Sequence, residues 1–213
     1  MKKCLIVGAG GLGREVLSWA LHAVGADWRV EGFLDGNPKA LEGKNVPYPV
    51  LGAPDSWVPA EDEVFLAAIG DPKARLRVCG GLSDRGARFL TLVHPTAVLG
   101  MNVDLGEGTI VAPMAVITAN SKIERFVLVN VGVCIGHDTF IGEGTTVSPH
   151  ADILGNASIG RACYLGSHAC ILPSMQVGDN AVVGAGSAVL RAVAPSTTVL
   201  GVPAQVLIPR KQV

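Results

Sequence analysis

From Val93 onward, every sixth residue of this chain is Val, Leu or Ile. The series runs Leu99, Leu105, Val111, Ile117, Ile123, Val129, Ile135, Ile141, Val147, Ile153, Ile159, Leu165, Ile171, Val177, Val183 and Val189, with no insertion. A six-residue period fits neither a helix turn of roughly 3.6 residues nor a long alternating strand. It fits a short strand and a turn, with one aliphatic side chain pointing inward per face. Two residues ahead of most aliphatics stands a small side chain (Ala97, Thr109, Ala115, Ser121, Thr139, Thr145, Ala151, Ala157, Ala169, Ala181, Ser187), as a crowded inner corner requires. Glycine often follows the aliphatic, for example at Gly106, Gly136, Gly142 and Gly160, and is expected to supply turn geometry. Three faces make a triangular coil of eighteen residues. Pro95, Pro113 and Pro149, separated by multiples of eighteen, should then stack on one corner.

Composition agrees with a core of stacked small aliphatics, since 27 residues are Gly and only 5% are aromatic. A net charge of −1 sets up no field for nucleic acid or an anionic membrane. Mean hydropathy is positive, +0.42. Yet no apolar run reaches the roughly 20 residues that a membrane-spanning helix needs. The start of the chain lacks the small-residue cleavage site of a signal peptide. Five cysteines with no CxxC spacing read as reduced thiols in a cytoplasmic protein.

Ahead of the repeat, Lys3 to Val7 reads as a buried strand, followed by Gly8-Ala9-Gly10-Gly11-Leu12-Gly13 and a helix from about Arg14 to Ala23. Strands are expected at Val30–Leu34, Val64–Ile69 and Arg88–Leu92, and a second helix at Pro72–Leu82. This is a half-Rossmann βαβ unit, α/β in class, over residues 1–92. Its glycines let a pyrophosphate approach a helix N-terminus, and Asp35, beside Gly36, can accept ribose hydroxyls. A nucleotide diphosphate is the preferred ligand. NAD is the minority reading, because only one mononucleotide half is present, and a tight turn with no ligand is the plain alternative.

The repeat resembles the hexapeptide-repeat acyltransferases, whose coils are left-handed, against the usual crossover rule. That resemblance implies a left-handed parallel β-helix over residues 93–213. The glycine loop, the Ala68-Ile69-Gly70-Asp71 segment, the His94-Pro95-Thr96-Ala97 junction and the repeat together resemble the nucleotide-sugar acetyltransferases. That group includes bacillosamine and perosamine N-acetyltransferases and sialic acid O-acetyltransferase-like proteins. The resemblance implies acetyl transfer from acetyl-CoA to a nucleotide-linked (UDP, GDP or dTDP) amino sugar in surface-glycan biosynthesis. An uninterrupted β-helix has no projecting loop to shape a sugar pocket, so Gly10, Gly11, Leu12, Asp35, Gly36, Gly70 and Asp71 are expected to hold the acceptor.

Acyl transfer needs a base, an oxyanion donor and a slot for coenzyme A. His137 lies at an expected coil corner, followed by Asp138, which can orient the imidazole and raise its basicity. The resemblance makes this pair the catalytic base and its helper, and places Asn130 near the sugar. Gly155, eighteen residues after His137, should stack on the base with its N–H toward the thioester. By resemblance, Ser167 and Ala185 line the pantetheine slot, and Gly201-Val202-Pro203-Ala204 lies near the coenzyme A tail, with Arg191, Arg210 and Lys211 available to its phosphates. Three positions depart from the pattern. Leu12 replaces a His of the glycine loop, Thr146 replaces a second His near acetyl-CoA, and Gln205 replaces a basic residue after GVPA.

No metal is expected. Gly142 stands where the zinc β-helices carry the partner of a His pair, and His150 and His168 read as a solvated ladder. His22 and His94 read as surface and junction residues. The resemblance also implies a homotrimer with active sites between subunits. Acetylation of a sugar hydroxyl, as in the sialic acid type, and a non-catalytic nucleotide-binding scaffold remain the alternatives.

Overall fold

The computed structural model describes residues 1–23 and 26–207. Its N-terminal part is a four-stranded parallel sheet of β1 (Lys2–Val7), β2 (Trp28–Leu34), β3 (Val50–Gly52) and β4 (Glu63–Ala67), in the order β3-β2-β1-β4. Helix α1 spans Gly11–Ala20, three residues earlier at each end than the pattern suggests, because the glycine loop turns straight into it. Helix α2 (Pro72–Asp84) starts where Asp71 caps it, accepting the Ala74 N–H at 2.7 Å, and where Pro72 supplies a fixed φ at the first turn. Strand β3 escapes the sequence pattern, being three residues long among prolines.

The strand expected at Arg88–Leu92 is not formed as such. Phe89 makes an isolated bridge to Phe65, and β5 (Leu92–Val93) is already the first rung of the β-helix.

The rest is a left-handed parallel β-helix with three faces. The first face stacks eight strands, beginning with Leu92–Val93, Ile110–Val111, Leu128–Val129, Thr146–Val147 and Tyr164–Leu165. The second stacks six, from Val98–Leu99 to Ala188–Val189, and the third five, from Asp104–Leu105 to Gln176–Val177. Up to Val189 each rung pairs in parallel with the one eighteen residues on, as Cys134↔Asp152 and Ile135↔Ile153, whereas the last coil pairs Val182 with Thr198 and ends in an antiparallel strand at Gln205–Val206. The sixth-residue aliphatics form one continuous core from Val111 to Val189. Each such buried side chain contributes about 1.5–3 kcal/mol.

The corners correct one expectation. The glycines that follow the aliphatics do not supply the turn conformation. Left-handed backbone falls two residues later, at Asn102, Asn120, Asp138, Asn156 and Ser174 on one corner, with φ between 57° and 62°. Asn and Asp tolerate that region because their short polar side chains bond locally. The glycines serve close approach instead: a Cβ at Gly142 would lie 2.5 Å from the Gly160 carbonyl carbon.

The N-terminal domain covers the lower half of the first face. Leu92, Ile110 and Leu128 point outward from their rungs and are buried with Ile6, Leu66 and Leu17. Among the described residues, no helix is long and apolar enough to cross a membrane.

Candidate active site

Strand order reverses between β1 and β4, and in open α/β sheets ligands bind outside the carboxyl ends of the strands at such a point. Here Gly8 leaves β1 with φ +103° and packs on the Ala68 carbonyl. At Gly13 a Cβ would lie 2.0 Å from the Gly8 carbonyl oxygen, so the third glycine is needed for helix–strand contact. Gly10, Gly11 and Gly36 face open space, with nothing within 4 Å of an added Cβ. Helix α1 has Gly10 at its cap and no side-chain cap, which leaves its first N–H groups facing outward as an anion cradle. Asp35 is partly committed: its carboxylate accepts the Ala9 N–H and the Asn37 N–H, each at 2.8 Å. It thereby ties the start of the glycine loop to the end of β2.

A cavity of about 390 Å³ opens beside this loop, against the first face of the β-helix. It is lined by Leu12, Glu15, Gly70, Asp71, Leu128, Asn130, Thr146, Ser148, Pro149, Tyr164 and Ser167. Leu12, Gly70, Asp71 and Asn130, expected at the acceptor, therefore meet Thr146 and Ser167, expected at coenzyme A. Thr146 is nearly fully buried, and its hydroxyl donates to the Gly70 carbonyl at 2.8 Å. That proton is committed to the domain joint.

His137 is not among the residues lining this cavity. It sits at the corner between the second and third faces, a face-width away in the same chain. Its Nδ1 lies 2.7 Å from Asp138 Oδ2. A carboxylate only accepts, so in the neutral ring Nδ1 carries the proton and Nε2 keeps its lone pair. The hydrogen bond from His137 is the largest influence holding the Asp138 carboxyl below its ordinary range; desolvation opposes it, and the Asn120 side chain adds to it. Gly155 lies under the ring, where a Cβ would come within 2.6 Å of Nε2. Both side chains of the pair are about half exposed, 61% and 49%.

The other coenzyme A candidates lie higher on the β-helix. Ala185 stacks on the coil of Ser167: a Cβ at Gly166 would meet the Ala185 nitrogen at 2.5 Å. Gly201, with φ +104°, and Pro203 belong to a turn that closes the last coil, where Ala204 N–H donates to the Ala188 carbonyl. Pro203, Gln205 and Arg191 line one small cavity there. Arg210 and Lys211 lie outside the described residues.

Two pairs of histidines have defined geometry. The His150 and His168 rings stack, centroids 5.2 Å apart and 14° from parallel. His22 Nδ1 and His94 Nε2 are 2.9 Å apart. Among the described residues, no group of three or more His, Cys, Asp or Glu is arranged to hold a metal ion.

Fold and site define a half-Rossmann β-helix protein with a His–Asp pair on one corner and a cavity at the domain joint. Residues 3–82 match the family model described as the PglD N-terminal domain. The UDP-N-acetylbacillosamine N-acetyltransferase of Bacillus subtilis (strain 168) is 31% identical over 115 residues, 52% of this chain and 51% of that protein. The chain thus spans about half the length of that curated relative. Likeness to solved structures runs through nearly the whole chain. The acetyltransferase domain of PglB from Neisseria gonorrhoeae FA1090, in complex with acetyl coenzyme A, superposes with a TM-score of 0.88 at 27% identity, covering 97% of this chain and 99% of that one. PerB from Caulobacter crescentus, in complex with CoA and GDP-perosamine, gives 0.87 at 29% identity over 97% of this chain and 98% of that one. The resemblance read from the sequence, to bacillosamine and perosamine N-acetyltransferases, holds.

Arg75, which sequence reasoning did not single out, joins the two domains beside the cavity through hydrogen bonds to the Gly144 carbonyl and the Thr146 hydroxyl. Glu15, Ser148 and Tyr164 were also unforeseen in the lining.

Proposed function

We propose that this chain is an acetyl-CoA-dependent N-acetyltransferase acting on a nucleotide-linked amino sugar, with His137 as general base. The observation that carries the reading is the His137–Asp138 hydrogen bond, which in the neutral ring places the proton on Nδ1 and leaves the Nε2 lone pair free over Gly155. In the reaction the sugar nitrogen attacks the thioester carbonyl as His137 Nε2 takes its proton. The tetrahedral intermediate collapses with loss of the coenzyme A thiolate, which receives the proton from the imidazolium. The Gly155 N–H, which finds no backbone acceptor among the described residues, is the donor for the oxyanion.

The acceptor reading rests on the cavity at the sheet's switch point. Residues 1–92 hold the nucleotide, with the diphosphate at Gly10 and Gly11 and the ribose at Asp35 and Gly36, and Leu12, Gly70, Asp71 and Asn130 bound the sugar. Glu15 and Asp71 line that cavity without a cationic side chain, which suits an amino sugar better than the carboxylated sugar of a sialic acid O-acetyltransferase. Coenzyme A lies along residues 93–213, past Thr146, Ser167 and Ala185 toward Gly201 and Pro203. PerB, whose structure carries CoA and GDP-perosamine together, supports the pairing of ligands.

His137 and the cavity belong to different corners, so one chain does not close the site. A homotrimer does, by setting the His137 corner of one subunit against the cavity side of the next. The second face supports this, for Val98, Met101 and Met114 are 57%, 77% and 68% exposed around it. The protein is proposed to work in the cytoplasm, in assembly of a surface glycan.

The test is release of free thiol from acetyl-CoA against a panel of UDP-, GDP- and dTDP-linked amino sugars, with the same sugars lacking the amine alongside. Turnover confined to the amines is expected. Turnover on hydroxyl acceptors alone would move the assignment to O-acetylation, and none at all would leave a nucleotide-binding scaffold. Light scattering is expected to give three times the 21.9 kDa of one chain.

A further inference from the structure

Arg75 on α2 is 1% exposed, and among the described residues it has no ion-pair partner. Its guanidinium is surrounded by neutral acceptors from both domains. Nε donates to the Phe126 carbonyl at 2.8 Å, and Nη1 donates to the carbonyls of Ile69 and Gly70. Nη2 donates to the Gly144 carbonyl at 2.8 Å, the Thr145 carbonyl at 3.1 Å and Thr146 Oγ1 at 2.9 Å. The Thr146 hydroxyl in turn donates to the Gly70 carbonyl, closing a ring of hydrogen bonds across the joint. Gly70 and Thr146 both line the cavity, one from each domain.

Burying a guanidinium among neutral groups is costly, and the cost is offset only because it satisfies buried carbonyls that an apolar side chain would leave unpaired. What an apolar side chain cannot supply is a planar fork that fixes two backbones at once. Lysine cannot supply it either, since its three donors radiate from one point.

We propose that Arg75 is a positioning residue: it sets the separation of the two cavity walls, so that the amine of a sugar held by the N-terminal domain is aimed at the His137 corner that a neighbouring subunit brings against the cavity. The role rests on the function proposed above, but the fixing of the joint is measurable without it.

The experiment uses the full chain as wild type, Arg75→Lys, Arg75→Met and Thr146→Val. Amide deuterium exchange is read first. Exchange of residues 69–71 and 144–146 is expected to quicken at least tenfold in both Arg75 variants, while residues 4–7 and 153–165 keep wild-type protection. Kinetics should split accordingly: kcat on the amino sugar falls about tenfold or more, and KM for acetyl-CoA stays within twofold. Thr146→Val, the milder variant if the Arg75 substitutions fail to fold, should loosen the same segments and lower kcat about threefold. Wild-type exchange at both segments in a folded Arg75→Met protein would overturn the proposal. So would loosened segments with unchanged kcat, or a Thr146→Val protein whose only defect is a raised KM for acetyl-CoA. A wild-type enzyme inactive on every amino sugar would sink the functional reading instead, and the exchange pattern would still decide whether Arg75 fixes the joint.

Discussion

In the β-helix, His137 meets Gly155 because their numbers differ by one coil, and the same rule stacks His150 on His168. In the N-terminal domain, Gly8 to Gly13, Asp35 and Gly70 come together from the ends of three different strands, through a crossover helix and a long connection. The first region is held by repetition, so many equivalent contacts share the load. The second is held by single contacts that have no substitute: the Asp35 carboxylate on Ala9 N–H, the Gly13–Gly8 approach, the Asp71 cap. Repetition yields a rigid platform, and singular contacts yield a shaped cavity. The proposed enzyme needs both.

That contrast predicts effects of unequal size. The largest is at a β-helix corner where structure and chemistry separate. His137→Ala is expected to lower turnover roughly 100- to 10,000-fold, the span usual for a general base. Because the side chain is mostly exposed, melting temperature should hold, and coenzyme A binding by calorimetry should survive. Next come close-approach glycines. Gly13→Ala forces a Cβ onto a carbonyl and is expected to cost about 1–3 kcal/mol, as overpacking does. Differential scanning calorimetry should show the loss in the N-terminal domain, with the β-helix transition unmoved. Gly11→Ala sharpens the point from the other side. Its Cβ meets nothing, so stability should change by no more than about 0.5 kcal/mol. Affinity for a nucleotide diphosphate should nevertheless fall roughly tenfold, about one lost charge-assisted contact.

The smallest effect concerns the junction. His94 Nδ1 accepts the Thr96 N–H, so its Nε2–H donates to His22. Burial first, and the His22 charge second, push the His94 pKa below its ordinary value. A depressed imidazole binds fewer protons folded than unfolded, so its contribution is complete above the unfolded value of about 6.5 and is lost as pH falls from there toward the folded value. Denaturation midpoints in urea should therefore decline modestly between pH 7 and pH 5, and His94→Asn should flatten that slope.

Sequence alone disclosed the β-helix in detail, because a period repeated so often leaves little freedom of register. It placed Gly155 on His137, and it placed Leu12, Gly70, Asp71 and Asn130 together without seeing the cavity. It misread the corner glycines, since a local pattern cannot separate a need for unusual φ from a need for room. Asn102, Asn120, Asn156 and Asn180 carried the turn signal instead. Arg75 was illegible for a different reason. Its partners at Phe126 and Gly144 lie 51 and 69 residues away, and a lone arginine in an ordinary helix announces nothing. Strand β3 was too short to show an alternation.

Pairing of each rung with the one eighteen residues on has a consequence for how such a chain can change length. Deleting six residues within the repeat would preserve every inward aliphatic and fold without protest. Yet it would rotate all that follows by a third of a turn, carrying later corners onto faces where their partners are not. Removing eighteen leaves the angular positions intact and only shortens the stack. Length in this molecule is therefore quantised for function in larger steps than for folding, and families of shorter or longer variants should differ by whole coils.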